Sequence, residues 1–279
     1  MFHIQKVSAL DLPELAPYRT LRRAAEHAAQ GIFVAEGDKV VRRLLESDFG
    51  VISVLLPEGR VQEFTPLLQA RKERDIPVFA FTKKSVLEEL VGFEMFQGVL
   101  AIGKIPVMMT LEKVVAESPQ PRLFAAVDGL TSAENIGLLV RNCAAFGTQA
   151  LIVGETSSSP YLRRAVRNSM GTIFQLPIVE LRPGTSHPTL VEALHHLQTH
   201  GIRCVAAHPH TDRRTLSQAD FTRDCCVVFG SEGNGLSPGV LAACDEAVAV
   251  PMANGVDSLN VGAAAAVFLY EAARQRKMI

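Results

Sequence analysis

Three short stretches place polar residues where an apolar element stops. In "VPMANGVDSLNVGAAAAVFLYEAARQR", residues 250–276, Asp257, Ser258 and Asn260 stand between a strand-like run and a helix of small side chains. Groups of these types can orient a hydroxyl, accept its proton or bond a ligand's polar edge. In "CCVVFGSEGNGLSP", residues 225–238, Gly230, Gly233 and Gly235 follow an apolar run and flank Ser231 and Glu232. Glycines there permit positive φ and let a ligand approach backbone N–H and C=O groups. The spacing G-x-x-G-x-G matches neither the dinucleotide fingerprint nor the P-loop. By itself it is equally a tight strand-to-helix turn. In "VDGLTSAENIGLLVRNCAAFG", residues 127–147, Asn135 stands at a helix start and Arg141 interrupts an apolar run. Asn135 suits a helix cap and Arg141 a solvated surface. The alternative for Arg141 is a partner or a solvent-filled cleft, because a charge in apolar surroundings needs one.

Other candidates have plainer readings. His208-Pro209-His210 lacks a nearby Cys or third ligand and reads as a polar loop, so no metal is expected. His195 and His196 fall in a helical stretch, on its solvent-facing flank. No G-x-S-x-G occurs, which removes the serine-hydrolase reading. The five cysteines, 143, 204, 225, 226 and 244, lie in apolar runs without metal spacing. Their odd count suits buried thiols in a reducing compartment, and a cytoplasmic location is expected.

The elements that must position these residues alternate along the chain. "GIFVAEG", "FGVISVLLPE", "IPVFAFT" and "GVLAIG" are strand-like and separated by helical stretches over the first hundred residues. Residues 103–121 carry Pro106, Pro119 and Pro121 and read as a linker around a short helix. The expected division is 1–105, a linker at 106–121, and 122–279. In the last part, "RLFAAVDG", "QALIVG", "FQLPIVEL", "IRCVAAH", "CCVVFG" and "EAVAVPM" are apolar strands, and helices lie between most of them. Gly147 is placed to end the helix begun near Asn135. "SHPTLVEALHHLQTH" has a Pro suited to a first helical turn and stops at Gly201. "SPGVLAAC" opens with Ser237 as N-cap and Pro238 at the first helical position. Such a pattern predicts an α/β fold with a parallel sheet covered on both faces. Ligands of such sheets bind outside the carboxyl ends of the strands, where residues 254–260 fall.

The chain has 279 residues and a net charge of −1, enough to build a core but not basic as a whole. An RNA or DNA partner therefore needs a local patch. No apolar run approaches the length of about 20 residues that spans a bilayer, and the acidic residues near the start suit no transit peptide.

Taken in order, "N-I-G-x-x-x-R-N-x-A-A-F-G", "V-V-F-G-S-E-G-x-G-L" and "V-P-M-x-x-G-V-D-S-L-N-V-G-A-A-A-A-V-F-L-Y-E-x-x-R-Q-R" resemble the three signature motifs of the SpoU (TrmH-like) RNA 2′-O-ribose methyltransferases of the SPOUT superfamily. "SPYLRRAVRNSMGTIFQLPI" is similar to a further family segment, and "FVAEGDKVV" and "FQGVLAI" resemble, more loosely, the small RNA-binding domain many members carry. The resemblance implies an α/β carboxyl-terminal domain of SPOUT type, with a parallel sheet and a trefoil knot, after a smaller amino-terminal α/β RNA-binding domain. It implies S-adenosylmethionine as cofactor, a homodimer with the site near its interface, and RNA, ribosomal or transfer, as substrate. The implied catalytic set is Asn135, Arg141, Glu232, Ser258 and Asn260. Glu232 would pair with Arg141 or hold Asn135. Arg141 either orients the reacting nucleotide or acts as base, the latter only where the site severely weakens its hold on a proton. The implied cofactor contacts are Phe229, Gly230, Ser231, Gly233, Gly235, Val250, Pro251, Met252 and Leu259. The first motif departs from the family in reading Ser132-Ala133-Glu134 before Asn135, where an Asp-Pro pair is common. Ala263 to Ala266 are expected chiefly in core packing.

Arg22, Arg23, Arg163, Arg164 and Arg167 offer local positive charge for RNA phosphates, against the plainer reading as solvated helix faces. A non-catalytic RNA-binding protein that keeps the fold is the alternative function; a nucleotide-dependent oxidoreductase lacks its fingerprint.

Overall fold

The computed structural model describes residues 1–7, 10–92, 98–209 and 214–279. Phe96 and Gln97 of the "FQGVLAI" stretch and His210 of the His-Pro-His triplet lie outside the described residues. The first part of the chain runs through β1 (Phe2–Lys6), α1 (Ala16–Arg19), α2 (Ala24–Ala29), β2 (Ile32–Glu36), α3 (Asp38–Glu46), β3 (Val51–Pro57), α4 (Val61–Gln69), β4 (Ile76–Phe81), α5 (Lys84–Val91) and β5 (Leu100–Lys104). It continues through α6 (Leu111–Glu117), β6 (Leu123–Val127), α7 (Ala133–Ala145), β7 (Ala150–Val153), α8 (Arg163–Asn168) and β8 (Ile178–Glu180). The last elements are α9 (Leu190–Thr199), β9 (Arg203–Ala207), β10 (Cys225–Phe229), α10 (Pro238–Ala243), β11 (Glu246–Val248) and α11 (Val261–Gln275).

Two units emerge, one of residues 1–107 with 161–174, the other of 108–160 with 175–279. The expected division differs in two places. Residues 161–174, expected with the carboxyl-terminal part, group with the first unit. The helix expected in a linker, α6, buries Leu111, Val114 and Val115 in the second unit's core.

In the first unit a five-stranded sheet has the order β1-β4-β3-β5-β2. β1, β4 and β3 are mutually parallel, while β5 runs antiparallel to β3 and β2. Leu15, Tyr18, Phe79 and Leu100 belong to a core on this sheet. The Tyr18 hydroxyl is buried but bonded to Ser53 Oγ at 2.8 Å, which offsets its removal from water.

The second unit is a six-stranded sheet in the order β11-β9-β10-β6-β7-β8, parallel throughout. Its central strands read as unbroken apolar runs because both faces are covered: every residue of β6, β7 and β10 is buried. Cys143, Cys225 and Cys226 are wholly buried there. Burial pushes the Cys143 thiol up to about 12 and that of Cys226 well above its usual value, so both are held as neutral, unreactive thiols. No helix of the described residues is long and apolar enough to cross a membrane.

Candidate functional site

The polar stretches converge at the carboxyl end of β10. There a cavity of about 290 Å³ is lined by residues 229–235, 250, 252 and 257–259, with Ala207 at the end of β9, His208 and Pro209 after it, and Val261, Ala264 and Phe268 from α11. That volume is near the lower end for small-molecule sites, roughly 300–1,000 Å³. Phe229, Met252, Leu259 and Phe268 supply apolar walls. The Phe229 and Phe268 rings meet edge to face at 5.9 Å between centroids.

The glycine loop folds back on itself. Ser231 N–H donates to Gly235 O and Gly235 N–H to Ser231 O, both at 3.0 Å. Gly235 has φ +66°, a left-handed conformation natural to glycine. Gly230 is required for a different reason. A Cβ there would lie 2.1 Å from the Gly235 carbonyl carbon, so no side chain fits. Gly233 has open space around it.

On one side of the cavity lies the start of α11. Asn260 is its N-cap, with Oδ1 accepting from the Gly262 N–H at 2.9 Å. The amide nitrogen of the same side chain donates to Asn135 Oδ1 at 3.1 Å. Asn135 is not the cap of α7. Ser132 is, accepting from the Asn135 N–H at 3.3 Å, and Ala133 takes the first helical position. These are the places that an Asp and a Pro would suit, so the departure in the motif leaves a capped helix. Next along α7, Asn142 donates to Gly262 O at 2.7 Å. A Cβ on Gly262 would sit 3.2 Å from Leu138 Cβ. Thus α7 and α11 are joined at close range by Asn135, Leu138 and Asn142.

The expected site residues separate into groups. Phe229, Gly230, Ser231, Gly233, Gly235, Val250, Met252 and Leu259 line the cavity with Glu232 and Ser258. Pro251 does not; it is exposed, because neighbours along an extended segment point to opposite sides. Asn135 and Asn260 bond each other. Arg141 is exposed on α7 and bonds neither Glu232 nor Asn135, so the expected Glu232 pairings are absent from this arrangement. Among the described residues the side chains of Arg141, Glu232, Asp257 and Ser258 make no hydrogen bond or ion pair, which leaves their polar atoms available to a ligand. The alanine run is divided: Ala265 is buried in the core, Ala264 lines the cavity, and Ala263 is exposed.

The arginines expected on phosphate are more engaged than their sequence suggests. Arg163 and Arg167 both bond the buried Glu36 carboxylate, with the Arg163 side chain only 15% exposed. Arg163 is thereby turned to the interior of its unit, a correction to its expected role. Arg167, Arg164 and Arg22 are exposed, and Arg23 pairs with Glu26 at 3.0 Å.

Sequence reasoning read His208 and Pro209 only as a polar loop and passed over Asn234 and Phe268, yet all four line the cavity. Phe268 carried a signal: Val261, Ala264 and Phe268 recur at helical spacing and share one face. His208 and Pro209 follow an apolar strand at its carboxyl end, the place where ligands of parallel sheets bind. Among the described residues no group of three His, Cys, Asp or Glu is placed to hold a metal.

Residues 122–270 match the SpoU rRNA Methylase family. An uncharacterized tRNA/rRNA methyltransferase of Mycobacterium tuberculosis is 32% identical over 279 residues, covering 97% of this chain and 92% of its own. The 23S rRNA (guanosine-2′-O-)-methyltransferase RlmB of Shewanella oneidensis is 30% identical over 231 residues, 81% of this chain and 90% of its own. In structure, the SpoU methyltransferase AviRb of Streptomyces viridochromogenes, crystallised with its cofactor AdoMet, superposes with a TM-score of 0.79 at 26% identity, covering 96% of this chain and all of its own.

Proposed function

This chain belongs to the SpoU rRNA methylase family, and from that premise we propose that it transfers a methyl group from S-adenosylmethionine to a ribose 2′-hydroxyl of structured RNA, ribosomal or transfer, in the cytoplasm. The observation that carries the reading is the cavity whose Glu232, Asp257 and Ser258 side chains make no hydrogen bond or ion pair among the described residues, beside the bonded Asn135–Asn260 pair.

The donor set suits the cofactor. Phe229, Met252, Leu259 and Phe268 offer an apolar slot for a flat heteroaromatic ring. The bare Gly230 lets the loop fold back onto its own backbone at Gly235 and Leu236, and the residues of that loop border the cavity. The bound cofactor supplies a methyl group made electrophilic by a sulfonium. What remains for the protein is alignment of the hydroxyl behind the methyl carbon and removal of its proton. Arg141 orients the sugar and its neighbouring phosphate, since a guanidinium keeps its proton at neutral pH. Glu232 is the carboxylate of the set and can accept the hydroxyl proton. Ser258 contacts the ribose, and the Asn135–Asn260 bond keeps the two helix starts in register around it.

The first unit, residues 1–107 with 161–174, recruits the RNA, with Arg22, Arg164 and Arg167 as its exposed cations. The carboxyl-terminal part carries the knot of the family and pairs as a homodimer. The exposed apolar residues of α7 and α11 support the pairing.

The test is transfer of labelled methyl from S-adenosylmethionine to total RNA, followed by mapping of 2′-O-methylated positions. Arg141→Ala is expected to abolish transfer while leaving cofactor affinity near that of the unaltered protein. Equal loss of cofactor binding would count against a substrate-side Arg141, and base methylation would count against the ribose as target.

A further inference from the structure

The loop that floors the cavity is attached at both ends by one residue. Asp128 follows β6 directly, and its main-chain N–H donates to the Phe229 carbonyl at 2.9 Å. Its carboxylate Oδ2 accepts from the Ser237 N–H at 2.7 Å. Phe229 and Ser237 are the two ends of the loop that carries Gly230 to Leu236. The bonds between Ser231 and Gly235 close that loop on itself. They do not tie it to the neighbouring strand.

Asp128 is 8% exposed and does not line the cavity. Acidic side chains are seldom withdrawn from water without a specific partner. A carboxylate that accepts a backbone N–H makes one of the stronger hydrogen bonds. The following residue, Gly129, adopts φ +63°, and a Cβ on it would stand 4.0 Å from Ser231 Cβ. The two residues after β6 therefore meet the loop at its start, near Ser231 and at its end.

We propose that Asp128 is a positioning residue for cofactor binding. It presets the Gly230–Leu236 loop by holding Phe229 through its main chain and Ser237 through its carboxylate, and it touches neither cofactor nor RNA. The inference rests on the reading of the cavity as the S-adenosylmethionine site. Asn at this position keeps an acceptor oxygen and the same reach. Ala leaves the Ser237 N–H without its partner and one end of the loop released.

The experiment is calorimetric titration of S-adenosylmethionine into the full chain, unaltered and as Asp128→Asn and Asp128→Ala, with thermal unfolding and methyl-transfer kinetics on the same samples. The alanine variant is expected to bind the cofactor about tenfold more weakly or worse, and the asparagine variant within about threefold of the unaltered protein. The loss should appear as a raised KM for the cofactor, with kcat at saturating cofactor nearly retained. A lowered melting temperature with unchanged cofactor KM would mark a merely structural residue and overturn the proposal. No cofactor binding by the unaltered chain would instead overturn the functional reading itself. Should the alanine variant fail to fold, hydrogen exchange at the Ser237 amide of the unaltered chain decides. Slow exchange before cofactor is added supports a preset loop, and exchange that slows only on its addition overturns it.

Discussion

Two glycines of one loop show how differently the same residue type can be required. The pattern in residues 230–235 treats Gly230 and Gly233 alike, yet only one is enclosed. A methyl group on Gly230 would press on backbone atoms of Gly235 and Leu236 at 2.1 to 2.4 Å, and backbone cannot rotate aside as a side chain can. Gly233 has nothing within 4 Å and no positive φ. Gly230→Ala is therefore expected to force the loop open and cost cofactor affinity by an order of magnitude or more. Gly233→Ala should leave affinity within about threefold. Calorimetric titration of both variants checks this, and equal losses would mean that Gly233 contacts the ligand by its backbone. Asn260 shows a related economy. Its oxygen caps α11 and its nitrogen reaches Asn135, so one amide orientation satisfies both bonds.

Helix ends account for much of what could be read in advance. Ser237 with Pro238 begins α10, and Gly147 and Gly201, at φ +72° and +73°, follow the ends of α7 and α9. At α9 the start moved. Thr189 and Glu192 form a capping box, which leaves Pro188 ahead of the helix rather than in its first turn. The end of α3 is closed by a residue no local pattern reveals. Arg71 donates to the carbonyls of Leu45, at 3.1 Å, and Phe49, at 2.6 Å, and also to that of Ser47. Glu73 pairs with Arg71 and accepts the Val51 N–H at 2.9 Å. Burial alone would raise the Glu73 carboxyl, but Arg71 and that N–H outweigh it and hold it at about 2. A carboxyl lowered on folding stabilises above its unfolded value, near 4.5, and that contribution disappears as pH falls toward 2. The drop corresponds to no more than about 3 kcal/mol. Glu73→Gln should flatten the acid limb of stability against pH, followed by circular dichroism in urea from about pH 7 to about pH 2.5. An unchanged slope between about pH 4.5 and pH 2.5 would remove Glu73 from the acid response.

Across the whole chain, what stayed hidden were bonds between residues far apart in sequence. Asn135 with Asn260, Asn142 with Gly262 and Asp128 with Ser237 are separated by 125, 120 and 109 residues. The Glu36 carboxylate, 127 residues before Arg163, claims a cation that by composition alone looked available for phosphate. Periodicity reveals which face of an element is apolar, not which distant group meets it. The same holds for apolar faces left uncovered. Leu138 lies against Gly262 at one end of the α7–α11 pair, and the rings of Phe146 and Tyr270 meet at 6.0 Å at the other. Leu138, Val267 and Tyr270 remain 38%, 38% and 50% exposed along this pair, with Arg141 exposed on the same helix as Leu138. A band of large apolar residues on two adjoining helices suits a second copy of the chain. The proposed homodimer would bury it and bring Arg141 to the interface. The double variant Val267→Glu, Tyr270→Glu places two carboxylates in that band, where each would be desolvated without a partner. Sedimentation equilibrium should show the unaltered protein at twice the chain mass and the double variant at the chain mass, with its far-ultraviolet circular dichroism retained. An unaltered protein that sediments at the chain mass would mean the band faces water and the pairing is absent; a double variant that stays paired would place the interface elsewhere on the molecule.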